Sequence, residues 1–304
     1  MKIIFMGTPN FAVPILRSIY DSGHKILEVY TQPATKSGRG QKINHSDIFK
    51  FAEQLNLKVR SPDTLETVEE IDHIKKLKPD LVVVVAYGKI LPTKLLNIDK
   101  ITFINAHASL LPKWRGAAPI QRAIMNMDSE TGVSVMKIIP QLDAGPVMLQ
   151  GRIKISQKMS YEDLSKKMSE IAAKLILESI KLIENNNAIF VEQKESEVTY
   201  AKKIQKNEAR INWNESAKRN VAKINALHPN PGCWFQLLGA RIKIIKAIEI
   251  EKTGEVGTII DNNMTIACSK NAVQILELKK EGKKQMLVDE YLRGNKIKIG
   301  QKVN

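Results

Sequence analysis

Residues 2–31, KIIFMGTPNFAVPILRSIYDSGHKILEVYT, combine two short apolar runs with an amphipathic stretch between them. The first run, KIIFM, ends at the turn residues GTPN, and the second run is KILEVYT. Between them, the apolar residues of FAVPILRSIYDSG recur at the spacing of one helix face. This order predicts a strand, a helix and a second strand, which is the unit from which parallel sheets are built.

The alternation of strands and helices continues along the chain. HSDIFKFAEQLNL (45–57) has a helical period, and DLVVVVAYG (80–88) is apolar enough for a strand buried on both faces. TGVSVMKII (131–139) and GRIKIS (151–156) are further predicted strands, and residues 161–185 have the period of a long helix. The sequence therefore predicts an α/β fold with a Rossmann-like, mostly parallel sheet.

The pattern changes near residue 190. Residues 192–212 are polar and weakly periodic, so we predict a first domain over 1–189, a linker over 190–207 and a second domain over 208–304. In the second domain, a helix predicted near 215–227 precedes five short β-rich segments: CWFQLLG, RIKIIKAIEI, GEVGTII, MTIACS and AVQILEL. Short strands separated by turns are typical of a small barrel, and we expect an OB-like β-barrel.

Composition limits the class of protein. Of the 304 residues, 43% are hydrophobic and 26% are charged, which is typical of globular domains. The N-terminus is a poor signal peptide, and the longest apolar run is far shorter than the ~20 residues of a membrane-spanning helix. Two cysteines and five scattered histidines have no metal-ligand spacing. We therefore expect a cytoplasmic monomer without a metal or a membrane contact.

The charge of the chain suggests a partner. The net charge is +15, and from Ala201 onward the chain has 20 Lys and Arg against 10 Asp and Glu. A basic region attracts polyanions, because neutralised phosphates release counterions on binding. The C-terminal region is therefore a candidate for binding nucleic acid, although a generally lysine-rich proteome would also raise the count.

The first turn does not match a dinucleotide-binding motif. That motif needs several glycines after the first strand and an acidic residue after the second. Here Gly7 stands alone, Pro9 and Ala12 follow it, and the second strand ends in residues 30–32, Tyr-Thr-Gln. We therefore expect no NAD.

Two polar side chains end a predicted buried strand in FINAHASLLPKWRGAAPIQ (103–121). Asn105 and His107 are two residues apart, so they project from one face of the strand, at the sheet edge where open α/β sheets bind ligands. An amide beside an imidazole can stabilise the oxyanion of an acyl transfer. In the alternative interpretation, Asn105 caps a turn and His107 is a structural histidine without a catalytic role.

A carboxylate follows the next predicted strand. Asp143 lies in PQLDAGPV, and it reaches the same crevice if its strand neighbours that of His107. There it would accept a proton from an incoming amine. Taken alone, Asp143 also fits a simple turn residue.

These segments resemble the formyltransferases that use 10-formyltetrahydrofolate. The resemblance covers nearly the whole chain and rests on MGTPNFAVPIL, TQPATKSGRGQK, VVAYGKILP, INAHASLLPKWRGAAPIQ, TGVSVMKIIPQLDAGPV, TYAKKIQKNEARINW and HPNPGCWF. It implies a formyltransferase domain followed by an OB-like barrel. It also implies transfer of a formyl group from 10-formyltetrahydrofolate to methionyl initiator tRNA.

The resemblance implies three sets of site residues. The catalytic set is Asn105, His107 and Asp143. The folate-binding set is Ser109, Leu110, Leu111 and Pro112 together with Ala86, Tyr87 and Gly88. The tRNA-binding set lies in a loop without acidic residues and consists of Lys36, Arg39 and Lys42.

Other functions remain open at this point. A formyltransferase acting on a sugar nucleotide or on glycinamide ribonucleotide shares the chemistry, as does a formyltetrahydrofolate hydrolase. A non-catalytic RNA-binding protein on the same fold is an alternative of a different class. An enzyme that acts on a small substrate would not need the basic C-terminal region. A non-catalytic protein would not need Asn105, His107 and Asp143 together.

Overall fold

The computed structural model describes residues 1–37 and 42–304. The chain divides into two compact units. Unit 1 comprises Met1–Pro119, Thr131–Ile153 and Ser165–Ala201, and unit 2 comprises Ile120–Glu130, Lys154–Leu164 and Lys202–Asn304.

Strands and helices alternate over the first two thirds of the chain. In chain order they are β1 (Lys2–Gly7), α1 (Val13–Asp21), β2 (Lys25–Tyr30), β3 (Thr35–Ser37), β4 (Lys42–Asn44), α2 (Asp47–Gln54), β5 (Val59–Arg60), α3 (Val68–Leu77), β6 (Leu81–Val85), α4 (Thr93–Leu96), β7 (Thr102–His107), β8 (Arg115–Gly116), α5 (Pro119–Met125), β9 (Glu130–Lys137), β10 (Val147–Lys154), α6 (Tyr161–Glu184) and β11 (Tyr200–Ala201).

One seven-stranded sheet has the order β10-β9-β7-β6-β1-β2-β5. Its pairs from β7 to β5 are parallel, and β9 is antiparallel to β7. All five residues of β6 are buried, as are the last five of β1, because helix-connected parallel strands are covered on both faces. The predicted mostly parallel α/β sheet is therefore confirmed. The carboxyl ends of β1, β2, β6 and β7 lie along one edge.

Local side-chain contacts begin two helices of unit 1, α2 and α3. Ser46 Oγ accepts a hydrogen bond from the Phe49 N–H at the start of α2, and Thr67 Oγ1 accepts from the Glu70 N–H at the start of α3. Each hydroxyl pairs one of the N–H groups that the first helical turn leaves without a backbone partner. These serine and threonine caps are signals that the sequence carries locally.

Unit 2 contains a smaller antiparallel sheet. Its main elements are α7 (Ala217–Leu227), β12 (Trp234–Leu237), β13 (Ala240–Ile250), β14 (Thr265–Ala267), β15 (Ala272–Lys280), β16 (Met286–Leu287) and α8 (Val288–Arg293). The sheet order is β12-β13-β15-β14, and β16 pairs with β15. Every pairing is antiparallel, in agreement with the predicted fold class of a parallel α/β sheet followed by a small β unit.

The predicted strand GEVGTII is wrong. Within it, Thr258 bridges Lys302 and Ile259 bridges Ile266, each as an isolated pair rather than as part of a ladder. Gly257 has φ +75°, a left-handed conformation that interrupts an extended backbone. The strand pattern of the sequence therefore breaks at this glycine.

Part of the predicted linker forms β contacts within unit 1. Val191 pairs with Val147, and β11 pairs with β8, both within unit 1. We refer to residues 191–201 as the connecting segment. The limits of 1–189, 190–207 and 208–304 stay predictions.

Within the described ranges, no helix has both the length and the apolar character needed to cross a bilayer. In the same ranges, no three His, Cys, Asp or Glu side chains are grouped as a metal site requires.

Candidate active site

Asn105 and His107 lie at the carboxyl end of β7. Asn105 pairs with Val84 of β6 and with Met136 of β9, and His107 pairs with Ser134 of β9. The two side chains occupy alternate strand positions and therefore share a face of the sheet. His107 is 6% exposed, whereas Asn105 is half-buried. The Asn105 amide has no hydrogen-bond partner among residues 1–37 and 42–304, and it is available to a bound molecule.

The His107 ring faces two acceptors. Its Nε2 lies 2.9 Å from the Trp114 carbonyl oxygen. Because a carbonyl only accepts, Nε2 carries the hydrogen in this contact. Nδ1 lies 3.6 Å from Asp143 Oδ2, which is within ion-pair range and slightly longer than a direct hydrogen bond. An imidazolium ring, which donates from both nitrogens, satisfies both neighbours.

Asp143 lies in the turn after β9. Its Oδ2 accepts a hydrogen bond from the Gly116 N–H at 2.8 Å, and its backbone has φ +47°. Two residues later, a Cβ on Gly145 would lie 1.8 Å from the Lys137 carbonyl oxygen, so the turn requires glycine there. The structure thus brings Asp143 next to His107 from a segment 36 positions further along the chain.

Ser134 holds the loop that follows β7. Its hydroxyl donates to the Ser109 carbonyl at 2.7 Å and accepts from the Leu111 N–H at 3.0 Å. Gln150 Nε2 adds hydrogen bonds to the Leu111 carbonyl at 2.9 Å and to Ser134 Oγ at 2.8 Å. The Ser109 hydroxyl donates to the Lys113 carbonyl. The backbone of this loop is therefore held from β9 and β10.

The folate-binding set of this loop has two kinds of side chain. Ser109 and Leu111 are buried, whereas Leu110 and Pro112 are partly exposed. The buried pair shapes the loop from within, and the partly exposed pair is open to a bound molecule. Folate contact by this loop stays a prediction.

The second folate-binding segment follows β6, the parallel neighbour of β7. The side chain of Tyr87 is 1% exposed, and burial raises its pKa to about 12, so its ring is part of the core. Its carbonyl accepts hydrogen bonds from Thr8 Oγ1 at 2.9 Å and Gln32 Nε2 at 3.0 Å. On either side, the exposed Ala86 and Gly88 have φ of +47° and +79°. The segment thus offers its backbone to a ligand. Folate binding by this segment stays a prediction.

The tRNA-binding set is only partly described. Lys36 and Lys42 lie in β3 and β4, which form an antiparallel pair. Arg39 lies outside the described residues, and so do the side chains of Lys36 and Lys42. Their role stays a prediction.

The connecting segment contacts both parts of the site, which the sequence reasoning missed. The buried Arg115 donates from Nε to Gln193 Oε1 at 3.0 Å and pairs with Glu195 at 2.7 Å. Gln193 Nε2 donates to the carbonyls of Asp143 and Gly145. These contacts carry no local sequence signal, because their partners lie about 50 to 80 residues apart.

A cation cluster lies on the sheet of unit 2 and consists of Arg241, Lys243 and Lys279. Lys243 pairs in register with both Trp234 and Lys279, and the Arg241 guanidinium lies 4.1 Å above the centre of the Trp234 ring. Burial, together with the charges of Arg241 and Lys279, lowers the pKa of Lys243. The sequence predicted the basic region but not this face.

Comparison with known families accounts for both units. A family model described as "Formyl transferase" matches residues 1–180. A second, described as "Formyl transferase, C-terminal domain", matches residues 203–296.

Similar proteins cover the full chain. A methionyl-tRNA formyltransferase of Pelagibacter ubique is 48% identical over 304 residues, which is 99% of this chain and 98% of that protein. One of Rhodopseudomonas palustris is 42% identical over 301 residues, covering 98% of this chain and 97% of the relative.

Solved structures share the fold at low identity. An N-formyltransferase of Helicobacter canadensis, in complex with folinic acid and dTDP-3-aminofucose, has a TM-score of 0.67 at 21% identity, covering 90% of this chain and 99% of its own. HypX of Aquifex aeolicus, in complex with tetrahydrofolic acid, has a TM-score of 0.68 at 17% identity and covers 96% of this chain. This chain spans about half of HypX, 47% of its length.

We expect Ser134→Ala to destabilise the protein by about 1–3 kcal/mol, because it leaves the buried Leu111 N–H without its partner. Urea denaturation measures the change. Ser179→Ala is the matched control: its buried hydroxyl has no hydrogen-bond partner within the described residues, so its removal is neutral or slightly stabilising. Equal stability of the two variants would contradict this description of the loop.

Proposed function

The chain belongs to the formyl transferase family, and on this premise we propose that it transfers the formyl group of 10-formyltetrahydrofolate to the amino group of methionyl initiator tRNA. The observation that carries this proposal is full-length similarity. Proteins named methionyl-tRNA formyltransferase match 98–99% of this chain at 42–48% identity. The sugar N-formyltransferases are only about 20% identical and share the fold.

The formyl group is held at the end of β7 in this proposal. Attack on the formyl carbon places negative charge on its oxygen, and a donor in a fixed position stabilises that charge. The Asn105 amide supplies such a donor, since it is half-buried and has no hydrogen-bond partner in the described part of the chain. Asn105 therefore binds the formyl oxygen, with the His107 Nδ1–H on the same face of the sheet.

The His107–Asp143 pair moves the proton that the reaction requires. The amine nitrogen forms a bond to the formyl carbon, and the bond from that carbon to the folate nitrogen breaks. Asp143 accepts the proton that the amine loses, and His107 gives a proton to the departing nitrogen. Transfer of a proton from Asp143 Oδ2 to Nδ1, now 3.6 Å apart, restores the pair. The products are a formamide and tetrahydrofolate.

The folate lies between the two segments that follow β6 and β7. The exposed backbone at Ala86 and Gly88 and the partly exposed Leu110 and Pro112 fit a flat, partly polar ring system. A Cβ on Gly88 would lie 2.2 Å from Gln32 Nε2, so this backbone approach depends on glycine.

The tRNA is bound through its phosphates in unit 2. The cation cluster places Arg241, Lys243 and Lys279 on one sheet face beside Trp234, where burial and, after it, repulsion from Arg241 and Lys279 disfavour the charged form of Lys243. A phosphate backbone relieves that repulsion. The loop with Lys36, Arg39 and Lys42 supplies the second contact, as its lack of acidic residues suggests.

The other candidate functions are less well supported. A formyltransferase that acts on a small molecule, or a hydrolase, would not need the cation cluster. A non-catalytic RNA-binding protein gives no reason for a histidine that faces both a carbonyl and a carboxylate. We further propose that the protein acts in the cytoplasm as a monomer.

We expect His107→Ala and Asp143→Asn to lower kcat for formylation by about 10²–10⁴-fold, because each removes a group that moves the proton. The assay mixes the purified full chain with 10-formyltetrahydrofolate and methionylated tRNA, and it measures formyl-methionine.

Asp99→Asn is the matched control for this assay, since Asp99 is an exposed carboxylate. Its turnover is expected to equal that of the parent. Near-parental formylation by both site variants would overturn the assignment of this reaction to His107 and Asp143.

We expect Lys243→Gln and Lys279→Gln each to flatten the salt dependence of tRNA binding, by about one unit in the slope of log K against log[salt]. Binding is measured at several salt concentrations, and folate affinity stays at its parental value. Lys252→Gln is the control, because Lys252 already pairs with Asp261 at 2.7 Å. An unchanged slope in both cluster variants would exclude this face as the RNA contact.

A further inference from the structure

One side chain of the connecting segment holds the turn that carries Asp143. Gln193 Nε2 donates hydrogen bonds to the Asp143 carbonyl at 2.8 Å and to the Gly145 carbonyl at 2.7 Å. Its Oε1 accepts from Arg115 Nε at 3.0 Å. The next residue, Gly116, donates its N–H to Asp143 Oδ2 at 2.8 Å. A single amide therefore joins the backbone of the turn to the segment that binds the Asp143 carboxylate.

The turn needs such an external contact. Asp143 has φ +47°, in the left-handed region that residues with a Cβ generally disfavour. Backbone conformations of this kind persist only where the surrounding structure holds them. The two hydrogen bonds from Gln193 supply this support, and the buried Arg115 fixes the amide in the orientation that donates to both carbonyls.

We propose that Gln193 is a positioning residue for the reaction, which keeps the Asp143 carboxylate facing Nδ1 of His107 while contacting neither substrate. The inference rests on the proposed function. A shift of about 1 Å in a reacting group can lower a rate on the order of 100-fold. Since Gln193 acts through Asp143, its loss changes the chemical step and leaves substrate binding unchanged.

Two substitutions separate the roles of the amide. Gln193→Glu keeps an acceptor for Arg115 but removes the two donated hydrogen bonds, and Gln193→Leu removes all three. For both we expect kcat to fall by about 10–100-fold, with KM for folate and tRNA within about 2-fold of the parent. Lys194→Ala is the matched control, since the neighbouring Lys194 side chain is exposed and pairs only with Glu197 in the described residues.

The deciding measurement is a double-mutant cycle with Asp143→Asn. If Gln193 acts only through the carboxylate, then Gln193→Glu causes no further loss of kcat once that carboxylate is gone. A general structural role would instead lower kcat by the same factor in both backgrounds and would lower the melting temperature with it. Gln193→Leu provides the same cycle if the glutamate variant does not fold.

Each outcome bears on one of the two proposals. Parental kcat in both Gln193 variants, or equal losses with and without the Asp143 carboxylate, overturns the role of Gln193 and leaves the proposed function standing. Parental formylation by Asp143→Asn overturns the role of the Asp143 carboxylate and with it the positioning role of Gln193, whereas parental formylation by His107→Ala as well overturns the assigned reaction site. A large loss in the parental background that disappears beside Asp143→Asn supports the positioning role.

Discussion

The His107 imidazole lies between the Trp114 carbonyl and the Asp143 carboxylate, and the rest of the site depends on this arrangement. The carbonyl sets which nitrogen carries hydrogen, because it accepts and cannot donate. Nδ1 is thereby directed at the carboxylate and at the face of the sheet that Asn105 shares. A histidine in this position can give a proton on one side while a carboxylate takes one beside it, which is what the transfer of an acyl group to an amine requires.

The fold supplies this geometry through contacts made far from the reacting groups. The parallel sheet brings the ends of β6 and β7 to one edge. β9 runs antiparallel to β7 and ends opposite Ile104, and Asp143, in the turn that follows β9, lies beside His107. Ser134 holds the loop after β7 through hydrogen bonds to its backbone. Gln193 of the connecting segment holds the Asp143 turn in the same way. Each hydrogen bond contributes only about 0.5–1.5 kcal/mol to stability. Together they limit the motion of reacting groups, which must stay within a few tenths of an ångström of their productive positions.

The sequence was sufficient for the architecture because periodicity is a local property. The runs at residues 2–31 and 80–88 predicted the parallel sheet, and the spacing of Asn105 and His107 indicated a shared face. The strand predicted around Gly257 was wrong, since one glycine in the left-handed region ends the extended pattern.

What the sequence did not predict is held by long-range contacts. The partner of His107 is the backbone carbonyl of Trp114. Because every residue has such a carbonyl, the residue type at this position does not predict the contact. Gln193 lies in a polar stretch whose composition resembles a linker, and its amide meets carbonyls 48 and 50 residues earlier. Lys243 and Lys279 share a sheet face because of the strand register in unit 2. A count of basic residues does not predict that register.

The central claim concerns the hydrogen on His107, and ¹⁵N NMR of the histidine-labelled full chain tests it most directly. The His107 signals are assigned by their absence from a spectrum of the His107→Ala variant. At neutral pH and without substrates, the arrangement predicts a protonated Nε2, whose ¹⁵N shift and bonded hydrogen report the contact with Trp114. An unprotonated Nε2, with the single ring hydrogen on Nδ1, would contradict the account.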